Sequence, residues 1–501
     1  MAFESLTVQE KRLFIIAFAL LSAASVLPVW IVRYHPLADL PNHLAATSIW
    51  YNYKNPVYQF SQYYYLDLGA NPYWGYYALM LGLIPLAGLD IANRLVLCLY
   101  ILGLPLGITW LSVRFGRSPW LGLFAFPFIW TFCWIVGFIH TSLGFALVIW
   151  ALAAFDSFCE RPRPMRAALA ALLGASIYFF HVVPWGLYWS CAGLIGLLHE
   201  QRSWRRLAGR FGVWAAAVVP GVVVTLTGRG KGMGQGLRRY SFSWDRNYGN
   251  LLRQLYDWTW NNCTGHEDEL LAGVLLAAWL LLRITAKGGR LRLHDLRALA
   301  CFVTALCAYL LLPKSMVTPA YSWGIKYRYA AMALLFMGLC IPGVIAGWRR
   351  LLLVPVALVG LGFAADTTVH WVRANQYTAG FEHIPEVVPQ GARVLFVVRP
   401  PWGDPGVKQF YAPAWPSYYQ AFHGGYNPWL FDDFPVRFRK HLPAPNLRQM
   451  DFSWDQFAPQ YDFFVIFHDQ DGDLFATHKE QVRSLGKFGE WTVWQPIRDE
   501  P

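Results

Sequence analysis

Charge is scarce in this chain: Asp, Glu, Lys and Arg make up 14% of its 501 residues, against roughly a quarter in soluble domains. Beside 56% hydrophobic and 17% aromatic content, that scarcity excludes a disordered chain and points to a polytopic membrane protein. The signatures of familiar soluble enzymes are missing too. The chain has no Gly-x-Ser-x-Gly elbow, no P-loop, no HExxH and no Cys-x-x-Cys pair. Its eight cysteines make neither a disulfide framework nor a metal-type spacing, because all but Cys263 fall in or beside apolar runs. No internal repeat and no low-complexity tract appears. A net charge of +12 would suggest nucleic acid in a soluble protein. Here most of the surplus lies in short loops between apolar runs, where membrane topology accounts for it, so no nucleic-acid partner is expected.

What is present is a series of apolar runs punctuated by arginine. Residues 13–32 carry no charge and are long enough to cross a bilayer, and the run is too long for a removable signal and lacks a small-residue cleavage pattern. Lys11 and Arg12 precede it, which puts its start on the cytoplasmic side. Five basic clusters follow: Arg114/Arg117, Arg161/Arg163/Arg166, Arg202/Arg205/Arg206/Arg210, Arg283/Lys287/Arg290/Arg292/Arg297 and Arg349/Arg350. Successive clusters leave room for two crossings, as expected if all are cytoplasmic, for about 10–12 transmembrane helices in all. The charge pattern allows only an odd number of crossings between Val32 and Arg114, yet residues 73–88 and 95–111 look like two spans. Either 73–88, with Gly75, Gly82 and Pro85, is re-entrant or tilted, or a segment within 119–158 does not cross. The expected partition is a transmembrane domain, 1–365, with external loops 33–72, 228–267 and 314–326, and an extracytoplasmic α/β domain, 366–501. In the latter, 392–398, 463–467 and 491–494 read as strands and 476–485 as a surface helix.

The chain emerges from its first span into His35-Pro36-Leu37-Ala38-Asp39-Leu40-Pro41-Asn42-His43. Residues 40–53 then alternate at helical spacing, Leu40, Leu44, Thr47 and Tyr51 against Asp39, His43, Ala46 and Trp50, which predicts a short amphipathic helix on the outer face. Asp39 at its start has two readings. It is a helix cap, since carboxylates bond free N–H groups there, or it is an acid placed to meet both a lipid and a soluble molecule. His43 lies one turn on and shares a face with it.

Two expected outer loops break the positive-inside rule. Residues 228–253 hold Arg229, Lys231, Arg238, Arg239, Arg246 and Arg253, and the loop before the penultimate span holds Lys314, Lys326 and Arg328. Cations on that side suit an anionic group, and a lipid phosphate matches the planar fork of Arg. The plainer readings are contact with anionic headgroups for the longer loop and snorkelling for Lys326 and Arg328. Asp67, beside three tyrosines, could help hold a sugar or metal. His266 and Glu267 belong to an acidic run, Thr264 to Glu269, that suits a helix N-terminus as well as a substrate. His140 and His181 sit at expected outer turns, where they either line a cavity or simply pack.

An apolar span, an external loop opening with Asp39, many later spans and an external C-terminal domain together resemble the GT-C superfamily of membrane glycosyltransferases. Residues 66–94 also resemble its pattern, in which an apolar helix leads to Gly88, Asp90, Ala92 and Arg94 in Gly-x-Asp-x-Ala-x-Arg. The resemblance implies a sugar moved from a polyprenyl-phosphate-linked donor to a lipid or glycan acceptor on the outer face, in a bacterial inner (plasma) membrane. It implies Asp39 as general base or divalent-metal contact; the departing phosphate then needs cations, which Lys326 and Arg328, joined by Arg238 or Arg239, would supply. His43, Asp67, His266 and Glu267 would serve the substrate. The chain departs from the pattern in having Leu40 where many members place a second acid, and in lacking a DxD in the next outer loop, so no metal ligand set is assigned. The alternatives are a transporter or flippase of lipid-linked or anionic glycans, and a scaffold for envelope assembly. Against a transporter stand the long soluble tail and the absence of paired broken helices.

Overall fold

A computed structural model describes residues 6–69, 71–199, 203–227, 241–245, 249–286, 296–318, 322–343, 345–399, 405–446, 451–469 and 472–498. The chain is a polytopic α-helical membrane protein with a C-terminal α/β region. Among the described residues, five helices are long and apolar enough to cross a bilayer: Val8–Ile31, Trp74–Arg114, Ile139–Glu160, Trp204–Leu226 and Gly347–Tyr377. Five shorter apolar helices accompany them: Pro119–Phe128, Pro164–Phe180, Val182–Leu198, Leu296–Leu311 and Tyr329–Leu339.

The described residues divide into two units. The first takes its members from Met1–Ile31, Gly69–Leu79 and Arg94–Thr368, the second from Val32–Leu68, Met80–Asn93 and Val369–Pro501. Residues 33–68 of the first expected external loop thus group with the C-terminal region, across the expected boundary at 365.

The first unit is helical. Its helices approach closely where side chains are small: a Cβ at Gly174 would come within 2.6 Å of both Ala217 Cβ and the Tyr188 hydroxyl, which leaves glycine there. Residues 73–88 and 95–111 fall mostly in one broken helix rather than in two separate ones. Trp74–Arg114 is a 41-residue helix broken at Gly88, whose φ of 76° and ψ of 171° only glycine adopts readily. Pro119–Phe128 is a ten-residue 3₁₀ helix, wholly buried, and at about 2 Å per residue it is too short to span by itself. Arg94 of the Gly-x-Asp-x-Ala-x-Arg pattern is buried, donates to the Val29 carbonyl and lies 5.7 Å from the Trp30 ring centroid.

At one end of this unit the basic clusters meet. Asp156 is fully buried. It accepts from Arg297, from Arg114 at 3.1 Å and from His199 at 2.9 Å. Arg210 donates to the His199 carbonyl at 3.3 Å, and Arg166 to the Ser157 carbonyl at 3.1 Å. Four of the five clusters therefore supply one arginine each to Asp156 or its immediate neighbours.

The second unit holds a four-stranded sheet in the order Val394–Val398, Phe463–Phe467, Trp491–Pro496, Val482–Phe488. The first two strands are parallel and buried at every position, as expected of parallel strands covered on both faces. The last two form a hairpin that turns at Gly489, φ 58°. The surface helix expected over 476–485 is absent: Lys479–Gln481 is a 3₁₀ turn and Val482–Phe488 an edge strand. Its polar sequence has no strand signature of its own, and pairing with Trp491–Pro496 decides the outcome.

Candidate functional site

The helix after Asp39 forms over Leu40–Tyr51, but it is not an amphipathic helix lying on a surface. Nine of its twelve residues are buried. It packs within the second unit, where Ser48 Oγ donates to the Ala421 carbonyl at 2.5 Å and Ser417 Oγ to Asn42 Oδ1 at 3.0 Å. Tyr418 OH reaches the His35 carbonyl at 2.7 Å. The predicted polar stripe survives as its least covered side, with Asp39, His43 and Trp50 half-buried.

Asp39 occupies the cap position, and its carbonyl accepts His43 N–H at 3.2 Å. Its carboxylate makes no capping hydrogen bond. His43 sits 6.1 Å from the Phe431 ring, and burial pushes its imidazole down to about 4, so the ring is neutral at physiological pH.

Asp67 has a structural partner. Its carboxylate is 3.3 Å from Arg437 Nε, beside the antiparallel pair of Tyr64–Leu66 with Val436–Phe438. That pair stitches the first loop to the C-terminal region, and the Arg437 contact gives Asp67 a structural partner there. In the first unit, His266 is exposed and pairs with Glu269 at 2.9 Å, while Glu267 is exposed on the first turn of Glu267–Ile284. The acid of that run with a buried role is Asp268, which accepts the N–H groups of Asn262 and Cys263, each at 2.8 Å. Arg238 and Arg239 lie outside the described residues.

Lys326 and Arg328 come together at the start of Tyr329–Leu339, and both are buried. The two expected outer loops pair there as a ribbon, Ser241–Ser243 with Ser315–Thr318. The ribbon brings Asp245 to Lys326, whose Nζ donates to the Asp245 carbonyl at 2.5 Å and lies 3.9 Å from its carboxylate. Tyr327 OH donates to that carboxylate at 2.8 Å. Lys326 therefore has an acid beside it, contrary to the sequence picture of two unbalanced cations. Burial lowers its pKa, and Asp245 opposes the shift.

Arg328 is different. Its Nη1 donates to Thr141 Oγ1 at 2.7 Å and approaches His181 Nε2 at 2.8 Å, and its Nη2 donates to the Trp323 carbonyl at 2.9 Å. The Phe138 ring lies 4.0 Å from its guanidinium carbon. Among the described residues no carboxylate pairs with it. His181 in turn meets Tyr73 OH at 3.1 Å, and His140 is ringed by Tyr73, Tyr76 and Tyr77 at 5.2–5.6 Å. Both histidines named from sequence thus sit here, one on the arginine and one in an aromatic wall. Trp258 stacks on Tyr327 at 3.6 Å and Trp260 is buried against Phe128 at 4.8 Å, so their faces serve packing.

Thr141, Tyr73 and Asp245 had no signal in the sequence, because each reaches its partner only through helix packing or ribbon register. The Tyr329–Leu339 helix also lines an apolar groove of about 610 Å³, with Ala333, Leu334, Met337 and Gly338 facing Leu255, Leu276 and Trp279.

No protein-family profile and no curated protein matches this sequence. In structure the chain is similar to ArnT from Cupriavidus metallidurans, crystallised with undecaprenyl phosphate bound. The similarity has a TM-score of 0.51 at 14% identity and covers 95% of this chain and 97% of that one. On that likeness, spanning both the helical bundle and the C-terminal α/β region, the chain has the GT-C-like fold.

Proposed function

We propose that the protein is a membrane glycosyltransferase that takes a sugar from a polyprenyl-phosphate-linked donor and gives it to a lipid or glycan hydroxyl on the outer face. The observation that carries this reading is Arg328, a buried guanidinium whose described protein partners are all neutral. Burying a cation without a counter-charge is costly, and an anionic ligand offsets that cost. The GT-C-like fold, shared with a protein that binds undecaprenyl phosphate, makes a lipid phosphate the favoured anion. The apolar groove supports the same choice. Its lining residues lie roughly 7–15 Å along the helix that Arg328 caps, at 1.5 Å per residue, a fitting track for a prenyl chain.

In this reading the acceptor oxygen attacks the anomeric carbon while the bond from that carbon to the phosphate oxygen breaks. Asp39 takes the acceptor proton, and the lipid phosphate leaves with the bonding pair. Arg328 stabilises the charge growing on the departing phosphate, and Lys326 adds to it when released from Asp245. The convergence of four basic clusters near Asp156 supports a cytoplasmic location for that end, and Arg349 with Arg350 ahead of the last span support an extracytoplasmic C-terminal region.

Transfer of labelled sugar from a polyprenyl-phosphate donor by the purified protein tests the activity. Asp39→Asn should lower turnover by roughly 10²–10⁴-fold, the usual worth of a general base. Stability should change little, since Asn keeps the size of Asp and fills a helix N-cap as well. Full activity in Asp39→Asn would remove the acid from the chemistry.

A further inference from the structure

His181 carries a hydrogen-bonding conflict that the protein alone does not resolve. The residue is 2% exposed and sits between Pro164–Phe180 and Val182–Leu198. Its Nδ1 accepts the Val183 N–H at 2.9 Å, which caps the second helix. A neutral ring with Nδ1 so engaged carries its proton on Nε2. That N–H faces Tyr73 OH at 3.1 Å, which can accept, and Arg328 Nη1 at 2.8 Å, which can only donate.

Changing the protonation state does not help. The other tautomer moves the conflict to Nδ1–H against Val183 N–H, and the imidazolium has both conflicts at once. Burial and the Arg328 charge also hold the ring well below its ordinary pKa. Two donors at 2.8 Å repel unless an oxygen lone pair lies where both can reach it. A water would accept from both but would leave the guanidinium charge unbalanced, whereas an anionic oxygen does both jobs. Arg328 Nε is likewise buried with no acceptor among the described residues.

We propose that His181 Nε2–H, Arg328 and the Thr141 hydroxyl converge on one oxygen of a phosphate group, with His181 held as a neutral donor by the Val183 N–H. The inference rests on the reading of Arg328 as the phosphate contact and adds the residues that share its oxygen. Thr141 accepts from Nη1 at 2.7 Å and keeps its own O–H to donate. The three groups come from the starts of three helices, Ile139–Glu160, Val182–Leu198 and Tyr329–Leu339. Such a site grips the phosphate from several sides and needs no proton transfer from the histidine.

The test measures binding of polyprenyl phosphate, without sugar, to the full-length protein in nanodiscs. His181→Phe should weaken binding at least tenfold, in the range of a charge-assisted hydrogen bond. His181→Gln, which restores an N–H donor near the Nε2 position, should recover most of that loss; a purely structural role would leave Gln no better than Phe. Thr141→Val keeps the side-chain shape and should weaken binding several-fold, and it decides the matter if His181→Phe fails to fold. Unchanged affinity in His181→Phe, or in Thr141→Val where Phe does not fold, with a loss in Arg328→Ala, overturns this inference and spares the reading of Arg328. Unchanged affinity in Arg328→Ala overturns that reading instead. Competition by inorganic phosphate supports the shared phosphoryl contact. Binding of inorganic phosphate but not of the lipid keeps the anion site and overturns its lipid source.

Discussion

Arg297 and Arg328 are both buried in the helical unit, and they are neutralised in different ways. Arg297 meets Asp156, a buried carboxylate that Arg114 and His199 also engage. Glu160 adds a second acid on Arg114. Arg328 has a hydroxyl, an imidazole and a carbonyl. In the first region charges cancel within the protein, and the cluster can do its work, tying helices together, without a ligand. In the second the charge is left over and the hydrogen bonding is unfinished, with Nε lacking an acceptor among the described residues and Nη1 opposed by the His181 N–H. Burial and basicity are shared by both regions; what separates a structural cation from a candidate binding cation here is the nature of its acceptors.

The contrast breaks most visibly at Asp156. Asp156→Ala removes the carboxylate shared by Arg297, Arg114 and His199 and takes that counter-charge from a buried guanidinium. A loss of about 3–5 kcal/mol of stability is expected, read as a large drop in the thermal midpoint in detergent. Asp156→Asn should recover only part, because the amide keeps an acceptor but not the charge. A variant as stable as the wild type would mean that the two arginine sites differ less than their partners suggest.

A paired substitution sharpens the same point. Arg328→Met should cost little stability, since no carboxylate among the described residues is orphaned, but should weaken lipid-phosphate binding by an amount worth about 1.5–3 kcal/mol. Arg297→Met should do the reverse, lowering the thermal midpoint and leaving donor affinity alone in whatever fraction stays folded. Equal effects of the two on binding would place the anion elsewhere.

These assignments also mark how far the sequence could be read. Composition and the spacing of arginines were enough for a polytopic helical protein, because apolar length and loop charge are local properties. The helix after Asp39 was legible, and so were the buried strands at 394–398 and 463–467, whose side chains are apolar at every position. Its surroundings were not: that helix is a core element because Pro416–His423, hundreds of residues later, covers it. The same limit explains Lys326. No local signal joins it to Asp245, since the contact depends on the register of Ser241–Ser243 against Ser315–Thr318. Arg328 and His181 could be named as candidates, but their meeting required three helices to pack around one point.

Lys326 lies between the two extremes, and its pH dependence gives the smallest and most specific test. Burial depresses its pKa while Asp245 partly restores it. A base whose folded pKa lies below its unfolded one is disfavoured by folding when charged. The unfolded chain binds more protons between the two values, so stability rises with pH across that window and is lost as pH falls back through the folded pKa. The wild type should therefore gain stability as pH climbs toward the ordinary lysine value of about 10.4. Asp245→Asn takes away the compensating charge. It should cost about 0.2–1 kcal/mol at neutral pH, since the acid is partly solvated, and should steepen the alkaline gain. Lys326→Met should abolish that gain in either background. If Asp245→Asn also tightens binding of polyprenyl phosphate, Lys326 is a donor contact restrained by its acid. If binding is unchanged while the alkaline slope behaves as stated, the pair is a smaller version of the Asp156 cluster, and Arg328 alone keeps the role of ligand cation.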